Sequence, residues 1–352
     1  MPVTARSFAK INLGLRIGAS RSDGFHELRT VYQTIALHDI IRVTVMRGTG
    51  IEIRCEDPRV PKGEANTCYR VVERAMAALR ARGRVIVEIE KRLPVQGGLG
   101  GASGNAVAVL LALDAALNTQ LSGTERLRIA AEVGSDLPLF LLGGTVLGVG
   151  RGEEVYALPD RGSTACVVAL PEVGVSTPKA FGDWDLLIAG QSLSSKQRIA
   201  GRGPAWRGAG APPQTRRGTP ARSKLTVADP SDRMTVLGRE FSAWLSSASG
   251  VPVGKGRGRA ETQLLDLVRT GIENDFEQVV FPKYPELREV KSMLQRAGAF
   301  YASLSGSGSA TYGLFASRSI AEKAVARLKK AGVAAVVTRT LTRREYWKKI
   351  LD

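Results

Sequence analysis

The chain has 352 residues, 43% hydrophobic and 24% charged, with 50 Lys+Arg against 33 Asp+Glu and a formal net charge of +17. That composition excludes a disordered polyelectrolyte, and the length exceeds one small core and predicts two compact domains. The basic excess favours anionic partners: nucleotides, phosphorylated metabolites, nucleic acid or an anionic membrane.

Cys55, Cys68 and Cys166 have neither metal-type nor disulfide-framework spacing, so a reducing cytoplasm is expected. The amino terminus lacks a signal-type apolar core, and no run reaches the roughly 18 apolar residues of a spanning helix, so no membrane partner is expected. SFAKINLGLRI (7–17) alternates and predicts a strand, turned at SRSDGF. Two more strands are predicted at 30–37 and 40–47. A helix over 66–83 would have Asn66 as N-cap and Gly83 as its stop.

RVIVEIEKRLP (84–94) reads as a half-exposed strand feeding a glycine loop, and 105–117 as a helix apolar around most of its circumference and hence buried. LPLFLLGGTVLGVG (137–150) reads as buried strand. Residues 191–260 change texture to Gly, Pro and Arg and carry thirteen basic against three acidic residues. They are expected to form a flexible basic insertion, with a helix at 235–248 inside it. A helix (284–298), a strand pair (301–315), a helix (319–332) and a strand (333–341) complete a compact α+β unit.

The loop LPVQGGLGGASGNAV (93–107) lies between a strand and a helix. Glycines there would let several backbone N–H groups approach an anion while the helix amino terminus adds favourable partial charge. The loop fits neither GxxxxGK[ST] nor a useful register of GxGxxG. Taken alone it is either a phosphate cradle or a flexible turn before a core helix.

Its company is more specific. Lys10 lies in SFAKINLGL, Asp136 in GSDLPLF, and a second glycine loop in LSGSGSATYGLF (304–315). Together these resemble the GHMP kinase superfamily. KINLGLRIGASRSDGFHEL, EVGSDLPLFLLGG, VSTPKAF and NDFE narrow the resemblance to its 4-diphosphocytidyl-2-C-methyl-D-erythritol kinase family.

The resemblance implies an α+β, two-domain GHMP kinase fold. A ribosomal-protein-like N-terminal domain (1–160) and a ferredoxin-like C-terminal domain (161–352) would flank the active site in their cleft. It implies Asp136 as general base with Lys10 as its cation, and ATP held by Pro94, Gly97, Gly98, Leu99, Gly100, Gly101, Ala102, Ser103 and Gly104, with Ser103 on Mg2+. It also implies Phe25 and Phe181 sandwiching a cytosine whose edge bonds His26. Asn12, Asp23 and Thr177 would line the methylerythritol and diphosphate end, and the second loop would pack beside the first and contact substrate or triphosphate through Gly306, Ser307 and Gly308.

Asn274 and Asp275 are expected to brace a helix. The chain departs from the usual family loop at Gln96, Ala102 and Gly104, the last replacing a second serine, and Phe25 stands where Tyr is common. Only two histidines, His26 and His38, are present, so a His-dependent triad is not expected. Other readings are a homoserine- or mevalonate-type kinase, or an RNA-binding protein using the basic insertion. Trp206 is that insertion's one aromatic in its most Arg-rich part, too few for a stacking platform. No specific nucleic acid is expected, and the chain would be a monomer or homodimer.

Overall fold

A computed structural model describes residues 1–160, 162–200 and 273–351, the side chains of 191–200 excepted. The predicted helix at 235–248 and most of the basic insertion lie outside the described residues. Residues 191–200, expected to open the insertion, instead continue helix α5 (Thr177–Ala200).

Strand β1 (Val3–Ser20) pairs antiparallel with β2 (His26–Met46), a single strand where two were predicted. The gap between those two predicted strands falls at the polar step His38–Asp39. The strand runs through it, because the Arg92 and Leu93 N–H groups donate to Asp39 Oδ1 at 2.7 Å and Lys91 Nζ to its Oδ2 at 2.6 Å. A fully buried carboxylate is tolerated when its oxygens are satisfied in this way.

Strands β3 (Ile51–Cys55), β4 (Arg84–Glu90), β5 (Thr145–Val149) and β6 (Glu154–Ala157) complete a six-stranded sheet ordered β3-β4-β2-β5-β6, with β1 added on β2. Helices α1 (Thr67–Ala78), α2 (Gly101–Ala116), α3 (Gly123–Val133) and α4 (Leu137–Leu142) pack with its core. Asn66 caps α1 by accepting the Cys68 N–H. Every residue of α2 from Gly104 to Asp114 is buried, as its lack of a polar face predicts.

The stretch 137–150 is corrected by the structure. LPLFLL is helix α4, and only the residues after Gly143 and Gly144, both left-handed (φ 67° and 71°), form strand β5. A proline in the first turn is compatible with a helix, and short apolar runs carry no periodicity that separates helix from buried strand.

The second sheet is β10-β7-β9-β8, all antiparallel: β7 (Ala165–Ala169), β8 (Tyr301–Leu304), β9 (Thr311–Phe315) and β10 (Ala335–Arg339). Helices α6 (Glu277–Lys283), α7 (Pro285–Arg296) and α8 (Arg318–Lys330) follow the same chain order. Alternation along β7 sends Val167 and Ala169 towards α7 and α8, and Cys166 and Val168 towards β1.

β1 threads three cores. Phe8 packs among the helices of the first sheet, Ala9, Ile11 and Leu13 under the second sheet, and Leu15 and Ile17 against α5 and α6. The last helix, α9 (Arg343–Ile350), returns to the first core with Tyr346 and Ile350, although its residues belong to the span predicted as the second domain. Tyr346 donates to Phe140 O at 2.6 Å and Trp347 Nε1 to Leu142 O at 3.0 Å, tying down the end of α4.

Candidate active site

β1 and β2 meet in register with Lys10 opposite Thr34 and Asn12 opposite Tyr32. The two-residue period that buries Ala9, Ile11 and Leu13 puts Lys10 and Asn12 together on the other face. The buried Lys10 Nζ donates to Asn12 Oδ1 at 2.7 Å and lies 3.4 Å from Asp136 Oδ2. The Asn12 amide donates to Thr30 Oγ1, whose hydroxyl donates to Gly14 O. Asn12, expected against substrate, therefore also orients the Lys10 ammonium.

Asp136 stands at the amino end of α4, and its side chain is 32% exposed, so a ligand can reach it. Its Oδ1 accepts from Tyr32 OH at 3.0 Å. Desolvation first, and then the Asp136 charge and hydrogen bond, push the Tyr32 phenol well above its ordinary value, so it stays a donor.

The first glycine loop is built into both sheets. The Lys10 N–H donates to Leu99 O at 2.9 Å and the Ala310 N–H to Gly97 O at 3.1 Å, while Leu99 plugs the core under the second sheet. Ser305 Oγ donates to Gly98 O at 3.0 Å. A Cβ on Gly98 would lie 2.1 Å from Ser305 O, at a left-handed φ of +73°, so only glycine lets the two loops approach this closely. Pro94 flanks the loop, 2.8 Å from where a Cβ on Gly97 would stand.

Helix α2 begins at Gly101, four residues earlier than predicted, with left-handed Gly100 as N-cap and no side-chain cap. Its first N–H groups, at Gly101, Ala102 and Ser103, are thus left for a ligand, as an anion site requires. A cavity of about 400 Å³ beside them is lined by Asn66, Cys68, Lys91, Gln96, Ser103 and Asn105 among others. A larger groove of about 1390 Å³ follows β3 and shares none of the predicted site residues.

At Gly104, which stands where a second serine is usual in the family loop, a Cβ would lie 2.8 Å from Phe8 O and 2.9 Å from Ser7 Oγ. β1 occupies the room a hydroxymethyl group would need.

The second loop is held from below. The buried Asn274 amide donates to Leu304 O at 2.8 Å and Gly306 O at 2.7 Å, and its carbonyl oxygen accepts the Phe276 N–H. Asp275 accepts from the Arg16 guanidinium and the Ile17 N–H. Thr177 and Ser307 share a hydroxyl contact of 2.8 Å, bringing the start of α5 to this loop. A Cβ on Gly306 would stand 3.5 Å from Lys10 Nζ, and one on Gly308 2.9 Å from Leu304 Cδ1.

At the end expected for cytosine the arrangement differs from the expectation. The ring stacked on Phe181 is His26, with centroids 4.8 Å apart and planes 11° apart. Phe25 is 49% exposed under the Arg151 guanidinium. His26 Nε2 lies 2.7 Å from Asp185 Oδ1. Asp23 is exposed in the turn, accepting from the Phe25 N–H and Arg21.

Sequence reasoning missed Tyr32, Ser305 and Asp185. Tyr32 carries no local signal, since its partner Asp136 is 104 positions away at the start of another element.

The model for the N-terminal domain of GHMP kinases matches residues 66–144, and that for their C-terminal domain residues 259–334. The chain is 34% identical over 322 residues to a 4-diphosphocytidyl-2-C-methyl-D-erythritol kinase of Solibacter usitatus, covering 91% of this chain and 83% of that one. A protein of the same name from Acaryochloris marina is 32% identical, with 93% and 92% covered. Among solved structures, a 4-(cytidine 5'-diphospho)-2C-methyl-D-erythritol kinase superposes with a TM-score of 0.64 at 26% identity, with 96% and 98% covered. A homoserine kinase of Cytophaga hutchinsonii shares the fold at 18% identity and TM-score 0.62, with 96% and 95% covered.

Proposed function

Because the chain belongs to the 4-diphosphocytidyl-2-C-methyl-D-erythritol kinases, a family of GHMP kinases, we propose that it phosphorylates the 2-hydroxyl of that alcohol with ATP. The reaction belongs to the non-mevalonate route to isoprenoid precursors. One observation carries the assignment of roles: Lys10 Nζ sits 3.4 Å from Asp136 Oδ2 where the two glycine loops meet.

Phosphoryl transfer needs a positioned hydroxyl, a proton acceptor and neutralised charge. Asp136 accepts the proton, and the Lys10 ammonium stabilises the negative charge passing through the transition state. The uncapped first turn of α2 and the loop amides receive the triphosphate. Substrate would lie along Asn12, Asp23, Thr177 and the second loop, its cytosine near Phe25, His26 and Phe181. With His26 already stacked on Phe181, seating the base requires that ring pair to part or to present an outer face.

Magnesium fits the donors at hand. Among the described residues there is no cluster of three or more His, Cys, Asp or Glu able to hold a metal. A hard cation held chiefly by nucleotide phosphates needs only one or two protein oxygens, and Ser103 Oγ is one. Bound there, it would neutralise phosphate charge. No described helix is long and apolar enough to cross a membrane. We place the enzyme in the cytoplasm, with domains at 1–160 and 161–352.

The test is ATP consumption with the diphosphocytidyl alcohol, with homoserine and with mevalonate. Turnover with the first alone is expected; turnover with none, alongside tight salt-sensitive RNA binding, overturns the reading. Asp136→Asn should remove most turnover and leave ATP affinity largely intact, and a near-normal rate would remove Asp136 from the base role.

A further inference from the structure

We propose that Tyr32 is a positioning residue for the phosphoryl transfer: its phenol holds one oxygen of Asp136 so that Oδ2, beside Lys10, takes the substrate proton. The inference rests on Asp136 being the base.

An unrestrained aspartate carboxylate turns about its Cβ–Cγ bond and presents two equivalent oxygens, and a base that rotates wastes much of its alignment. Here the oxygens are made unlike. Oδ1 accepts from Tyr32 OH at 3.0 Å, while Oδ2 faces the Lys10 ammonium at 3.4 Å. Oδ1 already has one lone pair engaged by the phenol, whereas the ammonium facing Oδ2 makes its close hydrogen bond to Asn12, so Oδ2 is the less encumbered acceptor. In the transfer the substrate O–H bond breaks and its proton goes to Oδ2. The oxygen's electron pair forms the new O–P bond, and the old P–O bond breaks towards the leaving diphosphate. Oδ1 keeps its donor throughout.

The phenol itself is fixed from several sides. Its ring is 2% exposed and lies under Lys10 Nζ, 5.5 Å from the centroid. Two glycines of the β5–β6 hairpin clear its volume: a Cβ on Gly148 would stand 2.5 Å from Tyr32 Cε2, and one on Gly152 2.5 Å from the phenol oxygen. Space reserved this closely around a hydroxyl marks an aimed group. A tyrosine merely filling a core would need no hairpin shaped to its oxygen.

The experiment uses Tyr32→Phe in the full chain, which keeps the ring and removes the donor. Losing a hydrogen bond to a charged group predicts a fall in kcat of about tenfold, with KM for both substrates within about twofold. In an Asp136→Asn background the same change should cost less than about twofold of the residual rate, because a group acting through Asp136 has nothing left to act on. A tenfold additive loss in that background, or a single variant within twofold of wild type, overturns the proposal. Gly152→Ala, which crowds the hydroxyl and leaves the phenol in place, runs through the same cycle should Tyr32→Phe not fold. Absence of turnover in the wild type would instead sink the enzymatic reading.

Discussion

Replacing Gly98 by alanine should separate the two glycine loops. The backbone there is left-handed at φ +73°, and the new methyl would begin 2.1 Å from Ser305 O and 3.0 Å from Gly308 O. The left-handed conformation costs an alanine about 1 kcal/mol. Neither neighbour is a flexible side chain, so the clash must be relieved by moving backbone, at about 1–3 kcal/mol. Moving it stretches the bonds from Ala310 N to Gly97 O and from Ser305 Oγ to Gly98 O, each contributing about 1 kcal/mol. Since relief of the clash and loss of the bonds are alternatives in part, the total is about 3–4 kcal/mol. For a domain of this size, at about 2–4 °C per kcal/mol, that lowers the melting temperature by about 6–16 °C. Calorimetry with and without ATP would read both the fall and a shrunken ligand-induced rise. Gly63→Ala serves as the control, because a Cβ there meets nothing within 4 Å and φ is ordinary. A Gly98→Ala protein melting within about 2 °C of wild type, with unchanged ATP affinity, would refute the claim that these loops interlock through glycine.

Two further outcomes can be checked. Asn274→Ala strands the buried Gly306 carbonyl and the Phe276 N–H and leaves Leu304 O only the 3.4 Å bond from Ser303 Oγ, so it should cost about 2–4 kcal/mol in denaturant unfolding, and isosteric Asn274→Asp should do no better because it sets a carboxylate against carbonyl oxygens. Desolvation raises the Cys68 thiol from 9.0 to about 12, so native protein at pH 8 should alkylate at half-buried Cys55 while Cys68 reacts only after unfolding. The sign of the linked effect follows: with the folded pKa above the unfolded one, this thiol's contribution to stability is whole below about pH 9 and is lost between pH 9 and 12. Mass spectrometry of the alkylated native chain decides the first point, and stability flat across that pH range would contradict the second.

How much was legible in the sequence depended on how local each cause was. Alternation over 7–17 and 84–94 placed strands, and Asn66 marked the start of α1, because those causes lie within a few residues. The start of α2 was set too late because Gly101 and Gly104 lower helix propensity, whereas the flanking loop geometry fixes the first turn at Gly101. Strand β2 looked broken at Asp39 because the groups that satisfy that carboxylate come from residues 91–93. Motifs located Lys10, Asp136 and both glycine loops. Their cross-links, from Ser305 to Gly98, Thr177 to Ser307 and Tyr32 to Asp136, join residues more than a hundred positions apart and leave no local pattern to read. The β3, α3, β6, β7 and α9 elements were missed because short segments draw their order from the surfaces they cover, and α5, though long, was missed as well.

The chain's two ends are neighbours: Ala5 bridges Leu351, and Tyr346 packs its ring against Phe8. A ribosome extends a chain at about 5–20 residues per second, so roughly 20–70 s separate the synthesis of β1 from that of its final partners. Early in that interval the strand carrying Lys10 has no second sheet over Ile11, and until its end no α9 beside Phe8, and these long-range contacts make it a late-closing part of the fold. An unfinished or truncated chain therefore holds its ammonium and carboxylate on an unclosed frame. Linking the adjacent ends and reopening the chain in an exposed turn such as 62–64 would test whether the order of synthesis, as distinct from the final contacts, matters to the yield of active protein.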